Sequence, residues 1–192
     1  MTDKISINQS QKILDAAFKC ISKNGYANVS MRSIAEEANV VLSQVNYYYK
    51  NKEGLFIEVI RTLSKRYLVQ FEECLKIGDT SKKRLSNLSD YFQNMLISTP
   101  EVFKLLYDLI GMSIWSKPFG DLLSNLFKDL SSLIERYVLA DNIFTNKSLK
   151  NYSSSALSRM ILGSILGTSI QIILDPQEEN IAKSLNIVSE LL

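Results

Sequence analysis

The sequence predicts an all-α fold of about nine helices, and three observations carry that expectation. Its 192 residues include only three prolines and seven glycines, too few for many short strands and tight turns. Apolar side chains recur at helical spacing, as in Leu14, Ala17, Phe18 and Ile21. Between such stripes stand helix breakers and starters: Asn24-Gly25, Gly78-Asp79-Thr80, Thr99-Pro100 and Asp175-Pro176. At 46% hydrophobic, the chain can fill one core, or a small domain plus a medium one.

The first helix is expected over Ile7 to Lys23 and stops at Asn24-Gly25, where glycine takes a left-handed conformation without steric cost. Ser30 caps a short helix from Met31 to Ala38, with Ile34, Ala35 and Ala38 inward. A turn at Asn39-Val40 leads to a third helix, Leu42 to Tyr48. Asn51 caps a fourth, Lys52 to Lys76, with Leu55, Phe56, Val59, Leu63 and Tyr67 on one stripe. Five more follow at Ser81–Ser98, Pro100–Trp115, Pro118–Ala140, Ser148–Leu174 and Pro176–Leu191. Thr99-Pro100 places proline at a first helical position, where its missing N–H costs nothing, and Asp175-Pro176-Gln177-Glu178 resembles a capping box. A composition change near residue 50 divides the chain into 1–50 and 51–192.

Composition excludes several chemistries. With no histidine, serine–histidine and cysteine–histidine nucleophile pairs and imidazole metal sites are impossible. Cys20 and Cys74 form no CxxC pair, and no carboxylate pair or activated nucleophile stands out, so neither an enzyme, a metal site nor a cofactor is expected. Gly78 through Lys82 lacks the second glycine and the Lys-Ser/Thr ending of a phosphate loop. Lys82-Lys83-Arg84 reads as a solvated helix start, and Cys20 as a small buried apolar residue. No secretory signal is visible at Met1–Lys4, and Ser164, Thr168, Ser169 and Gln171 interrupt the apolar stretch Met160–Leu174. A soluble cytoplasmic protein without membrane contact is expected. Residues 1–55 hold seven Lys/Arg against five Asp/Glu, and the remainder fifteen of each, a slight basic excess where a polyanion would be met.

Residues 30–49 read as helix, turn, helix behind a supporting helix, the arrangement that lays a recognition helix in the major groove. Ser43, Gln44 and Asn46 are short hydrogen-bonding side chains suited to base edges. Tyr47 and Tyr48 can reach phosphates through their hydroxyls, and Lys52 adds a charge beside helix-terminal N–H groups. The same pattern also suits a plain trihelical unit whose tyrosines are core and surface.

Gly25-Tyr26, Ser30-Met31-Arg32-Ser33-Ile34-Ala35 and Val45-Asn46-Tyr47-Tyr48-Tyr49-Lys50-Asn51-Lys52-Glu53-Gly54-Leu55-Phe56 together resemble the signature of the tetracycline-repressor (TetR) family. The resemblance covers roughly residues 10–60 and implies a sequence-specific DNA-binding transcriptional regulator, commonly a repressor released from a palindromic operator by a small inducer. By position it implies Ser30 and Arg32 near phosphates, Leu42, Ser43, Gln44 and Asn46 facing the groove, and Tyr47, Tyr48 and Lys52 clamping the backbone. This chain departs from the family's usual glycine at Asn39, serine or threonine at Val41, tyrosine at Asn46, histidine at Tyr48 and phenylalanine at Tyr49. Val41 offers no capping oxygen, so Ser43 or a water is expected to serve the free N–H groups. Those departures leave room for an alternative, a helical protein–protein module of the same fold that reads no operator.

Two further expectations concern the larger part. Ala156, Gly163, Gly167, Ile170 and Leu174 share one face of their helix, and Ile181, Leu185, Val188 and Leu192 follow spacings of four, three and four in the last. These stripes either pack internally or, as the resemblance implies, form a four-helix homodimer interface. The middle helices carry Tyr91, Met95, Phe103, Tyr107, Met112 and Trp115. Such stripes are ordinarily core; in the family they line a cavity for a small, largely apolar inducer.

Overall fold

The structure is a computed structural model. It describes the backbone of residues 2–140 and 147–190, and the side chains of these except 2–8, 147, 148, 179, 181, 182 and 188–190. Among the described residues nine α-helices and no strands occur: α1 (Thr2–Asn24), α2 (Met31–Ala38), α3 (Leu42–Tyr48), α4 (Lys52–Lys76), α5 (Ser81–Ser98), α6 (Pro100–Ser113), α7 (Lys117–Tyr137), α8 (Ser154–Leu174) and α9 (Glu179–Glu190). The starts of α2, α4, α5 and α6 fall where the sequence puts them, whereas the box expected at Asp175–Glu178 gives a turn, with Glu178 Oε1 accepting from Asn180 N at 3.0 Å. Ser30 Oγ accepts from Ser33 N and Ser33 Oγ accepts from Ser30 N, both at 3.0 Å, a reciprocal box that fixes the start of α2. Asn51 Oδ1 accepts from Gly54 N at 2.7 Å, and Thr80 Oγ1 from Lys83 N at 3.1 Å. Several ends differ. α1 begins at Thr2 rather than Ile7, α6 stops at Ser113 rather than Trp115, α7 runs from Lys117 to Tyr137 rather than from Pro118 to Ala140, and α9 begins at Glu179 rather than Pro176. α8 begins only after a 3-10 turn over Lys147–Asn151, where Ser153 Oγ accepts from Ala156 N at 3.2 Å.

By compactness the chain divides into two units, residues 1–65 with 104–123, and 66–103 with 124–192. The first therefore takes in 52–65 of α4, the end of α6 and the start of α7 in addition to the expected head over 1–50. Within it, α1 packs on α2 and α2 on α3. Ile13, Ala17, Ile21, Ile34, Val45, Leu55 and Phe56 are fully or almost fully buried. Apart from Ala17, each of these side chains contributes about 1.5–3 kcal/mol by leaving water. Gly25, at φ 78°, turns the chain out of α1 into a 3-10 turn at Tyr26–Asn28. The Tyr26 ring then meets Phe56 and Phe119 at centroid distances of 4.8 and 5.8 Å, and its backbone N–H donates to Asp108 Oδ2 at 2.7 Å. Asp108 thus holds the end of α6 to the corner of the head by an ionic acceptor on a backbone donor.

The second unit is built on α5, which packs against α8 and α9, while α8 packs against α9. Phe71, Leu75, Leu85, Leu88, Ile161 and Ile165 form its interior. Buried Ser89 donates to the Leu85 carbonyl at 3.2 Å and to the Leu185 carbonyl at 3.0 Å, tying α5 to α9. Arg84 is no solvated helix start: it is half-buried and donates to the Gly78 carbonyl at 2.9 Å and the Tyr137 carbonyl at 2.7 Å, satisfying acceptors that follow two helix ends.

Candidate nucleic-acid interface

The head exposes one helix face. In α3 only Val45 is buried; Leu42, Ser43, Gln44, Asn46 and Tyr47 are exposed and Tyr48 is half-buried. One inward aliphatic side chain holds the helix on α2, which leaves the opposite side free for polar groups. Before α3, Asn39 sits at φ 50° and ψ 53°, its N–H donating to the Glu36 carbonyl at 3.0 Å, and Val40 N–H donates to the Ala35 carbonyl at 3.0 Å. Asparagine tolerates this left-handed geometry, so the departure from the family's glycine leaves the tight turn intact.

At the departure Val41 supplies no side-chain cap, and Gln44 Oε1 accepts from Val41 N at 3.4 Å, the glutamine half of a capping box without its hydroxyl half. The signal for it stood in the sequence, a glutamine three residues after the cap.

The tyrosine run separates by environment. Tyr47 is 81% exposed, with its ring edge-on to Tyr48 at 5.2 Å. Tyr49 instead points to α1, where its hydroxyl donates to the Ser10 carbonyl at 3.2 Å and burial raises its pKa. Ser30 is exposed at the start of α2, with its hydroxyl engaged in the cap. Arg32 is exposed and its Nε donates to Glu36 at 3.3 Å, an open surface pair that a phosphate can displace at little cost. Lys52 is half-buried: its Nζ lies 4.2 Å above the Tyr26 ring and 3.4 Å from the Ala27 carbonyl, and desolvation lowers its pKa against the opposing pull of Asp108. As placed, Lys52 fastens the 3-10 turn to α4 rather than standing free.

The residues expected around an inducer do not gather in one unit. Tyr91, Met95 and Phe103 belong to the second, Tyr107, Met112 and Trp115 to the first. Phe103 is buried beside Phe92 at 6.1 Å, and Tyr91 packs edge-on to Phe71 at 6.5 Å. Burial pushes the Tyr91 and Tyr107 hydroxyls up to about 12. Met95 and Met112 are half-buried. Trp115 is a correction: it lies past the end of α6 and is 88% exposed, so it walls no cavity here. A cleft of about 280 Å³ in the second unit is lined by Gln93, Ile172, Asp175, Pro176, Glu178, Lys183 and Asn186, none of the six.

Of the two apolar stripes, that on α8 lies open. Ala156, Gly163, Gly167 and Leu174 are exposed and Ile170 is half-buried, whereas Leu157, Ile161, Leu162 and Ile165 face inward. A methyl group added at Gly163 or Gly167 would meet nothing within 4 Å. By length and composition alone α8 could cross a membrane, and a third of that stretch is buried. The α9 stripe needs correction at Leu185, which is 0% exposed because α9 turns it onto α5. Ile181 and Val188 lie outside the described side chains.

Comparison with known proteins places this geometry. Residues 13–59 match the family described as bacterial regulatory proteins, tetR family. The fatty acid metabolism regulator protein of Bacillus subtilis is 22% identical over 181 residues, 94% of this chain and 92% of that protein. The nicotine-responsive helix-turn-helix transcriptional repressor of Paenarthrobacter nicotinovorans is 23% identical over 90% of this chain and 88% of its own. The solved structure of the B. subtilis transcriptional regulator FadR, in complex with stearoyl-CoA, superposes with a TM-score of 0.77 at 21% identity, covering 94% of this chain and 96% of that one. The matched segment spans the end of α1 through the first turns of α4, the helices that carry the exposed face. With that segment, the nine-helix architecture and relatives of nearly full length named as regulators in agreement, the chain carries at residues 13–59 a segment of the tetR family of bacterial regulatory proteins and is a DNA-binding transcriptional regulator rather than an enzyme.

Proposed function

We propose that the protein is a cytoplasmic, homodimeric repressor that reads a two-fold symmetric operator and leaves it when a small apolar inducer binds. The observation that carries this reading is the exposed face of α3: Leu42, Ser43, Gln44, Asn46 and Tyr47 are exposed on a head whose core side chains Ile34, Val45 and Phe56 are fully buried. Residues 30–52 supply both kinds of contact such a reader needs. Arg32, Tyr47 and Tyr48 suit phosphates, and Ser43, Gln44 and Asn46 suit base edges.

One α3 reads only a few base pairs, so a two-fold pair is needed for useful selectivity. α8 supports that pairing. It is apolar on all sides, yet its Ala156–Gly163–Gly167–Leu174 side is uncovered, and the glycines leave room for another helix to approach closely. A stripe of this kind is stable in water when a second copy covers it. The inducer reading is supported by the response to nicotine and the binding of stearoyl-CoA that the relatives' names record. Release then follows by population shift: the ligand favours a dimer whose two α3 helices are wrongly spaced, to the extent of its differential affinity. Helices α4, α6 and α7 each contribute residues to both compact units and are the carriers of such a change.

The test is selection of duplexes from a random pool, followed by titration of full-length protein. Gln44→Ala relaxes preference at particular base pairs, whereas Tyr47→Ala weakens all duplexes alike. Equal loss from both substitutions on every duplex contradicts the assignment.

A further inference from the structure

Two apolar side chains interrupt the polar face of the reading helix. Val41 is 62% exposed and Leu42 39% exposed, beside exposed Ser43, Gln44 and Asn46. The large apolar residues that hold the head together, Ile34, Val45 and Phe56, are fully buried, whereas Val41 and Leu42 each keep more than a third of their surface open. Gln44 sits next to them with its amide oriented. Its Oε1 accepts from Val41 N at 3.4 Å, and this contact turns the amide so that its two Nε2 hydrogens are available to a base.

In the major groove each base edge has its own pattern. Adenine presents an acceptor and a donor, which an amide answers, but no methyl group for an aliphatic side chain. Cytosine presents a donor, which an N–H donor repels. Guanine presents two acceptors and no methyl group. Thymine alone presents an acceptor, O4, next to a methyl group. We propose that Val41, Leu42 and Gln44 together read thymine, the aliphatic pair packing on its 5-methyl group while Gln44 Nε2 donates to O4. This rests on α3 being the groove-entering helix.

The test separates the two halves of the contact. In each selected duplex every thymine is replaced in turn, in both half-sites, by uracil (acceptor, no methyl), 5-methylcytosine (methyl, donor in place of acceptor) or cytosine (neither), and binding of the full-length protein is titrated. At one thymine of the half-site, uracil weakens binding about fourfold per half-site, the value of one buried methyl, and 5-methylcytosine by about tenfold or more. With Val41→Ser/Leu42→Ala, uracil and thymine bind equally well, while with Gln44→Ala the uracil effect persists and the 5-methylcytosine penalty shrinks. The altered side chains are exposed, and the uracil series on unaltered protein needs no variant. Uracil binding as tightly as thymine at every position overturns the proposal and leaves the regulator reading standing. So does a methyl effect that survives in the Val41/Leu42 variant. Failure to select any duplex over random DNA overturns the regulator reading itself, and the thymine assignment with it.

Discussion

The head and α8 handle apolar residues in opposite ways. In α1–α3 the apolar residues Ile13, Ala17, Ile21, Ile34 and Val45 are turned inward, and among the described side chains the outside is mostly hydroxyls, amides and charges, with Leu42 the aliphatic exception. In α8, Leu157, Ile161 and Ile165 are buried, but Ala156, Met160, Gly163, Gly167 and Leu174 are left to solvent. The first region is complete within one chain and presents chemistry suited to a polar partner. The second presents a surface that water does not favour and that a like surface does. The proposed dimer would use both: a self-sufficient reader, and a contact that fixes how far apart two readers stand.

Substitutions should break this contrast in graded fashion. The largest effect is expected inside the head. Phe56→Ala empties a fully buried position against Tyr26 and Phe119 and should lower unfolding free energy by about 3–5 kcal/mol, read by thermal and denaturant melts. Next comes the open helix face. Gly167→Leu meets no neighbour within its own chain, so helicity and melting of the protomer should be kept while self-association weakens by about a hundredfold, read by sedimentation. If α8 were covered internally the order would reverse, with lost stability and unchanged association. Asp108→Ala removes the acceptor for Tyr26 N–H and should cost about 1–3 kcal/mol, seen as faster amide exchange at Tyr26. Ser30→Ala is the smallest, about 1 kcal/mol, from loss of the α2 cap.

What the sequence made legible follows the range of the interactions involved. The starts of α2, α4 and α5 rest on Ser30, Asn51 and Thr80, each bonded to a residue three positions on, and such signals can be read locally. The exposed face of α3 was legible for the same reason, since one buried residue in seven leaves little choice of orientation. Trp115 went astray because α6 ends two residues before it, and a residue past a helix end no longer follows the helical stripe. Leu185 illustrates a second limit. Periodicity names a face but not its partner, and that face packs on α5 within the chain. The Asp108–Tyr26 bond joins residues 82 apart, and nothing in either neighbourhood announces it. Lys52 carried the charge expected of a phosphate clamp, yet the Tyr26 ring close by takes up its ammonium.

The most direct measurement of the central claim is the ratio of affinities for a selected duplex and a random duplex, titrated between 50 and 200 mM salt. Both affinities should fall as phosphate contacts are screened, while the ratio stays at about a thousandfold or more because base contacts carry it. A ratio near one at every salt concentration would contradict a groove-reading α3, whatever the affinities themselves.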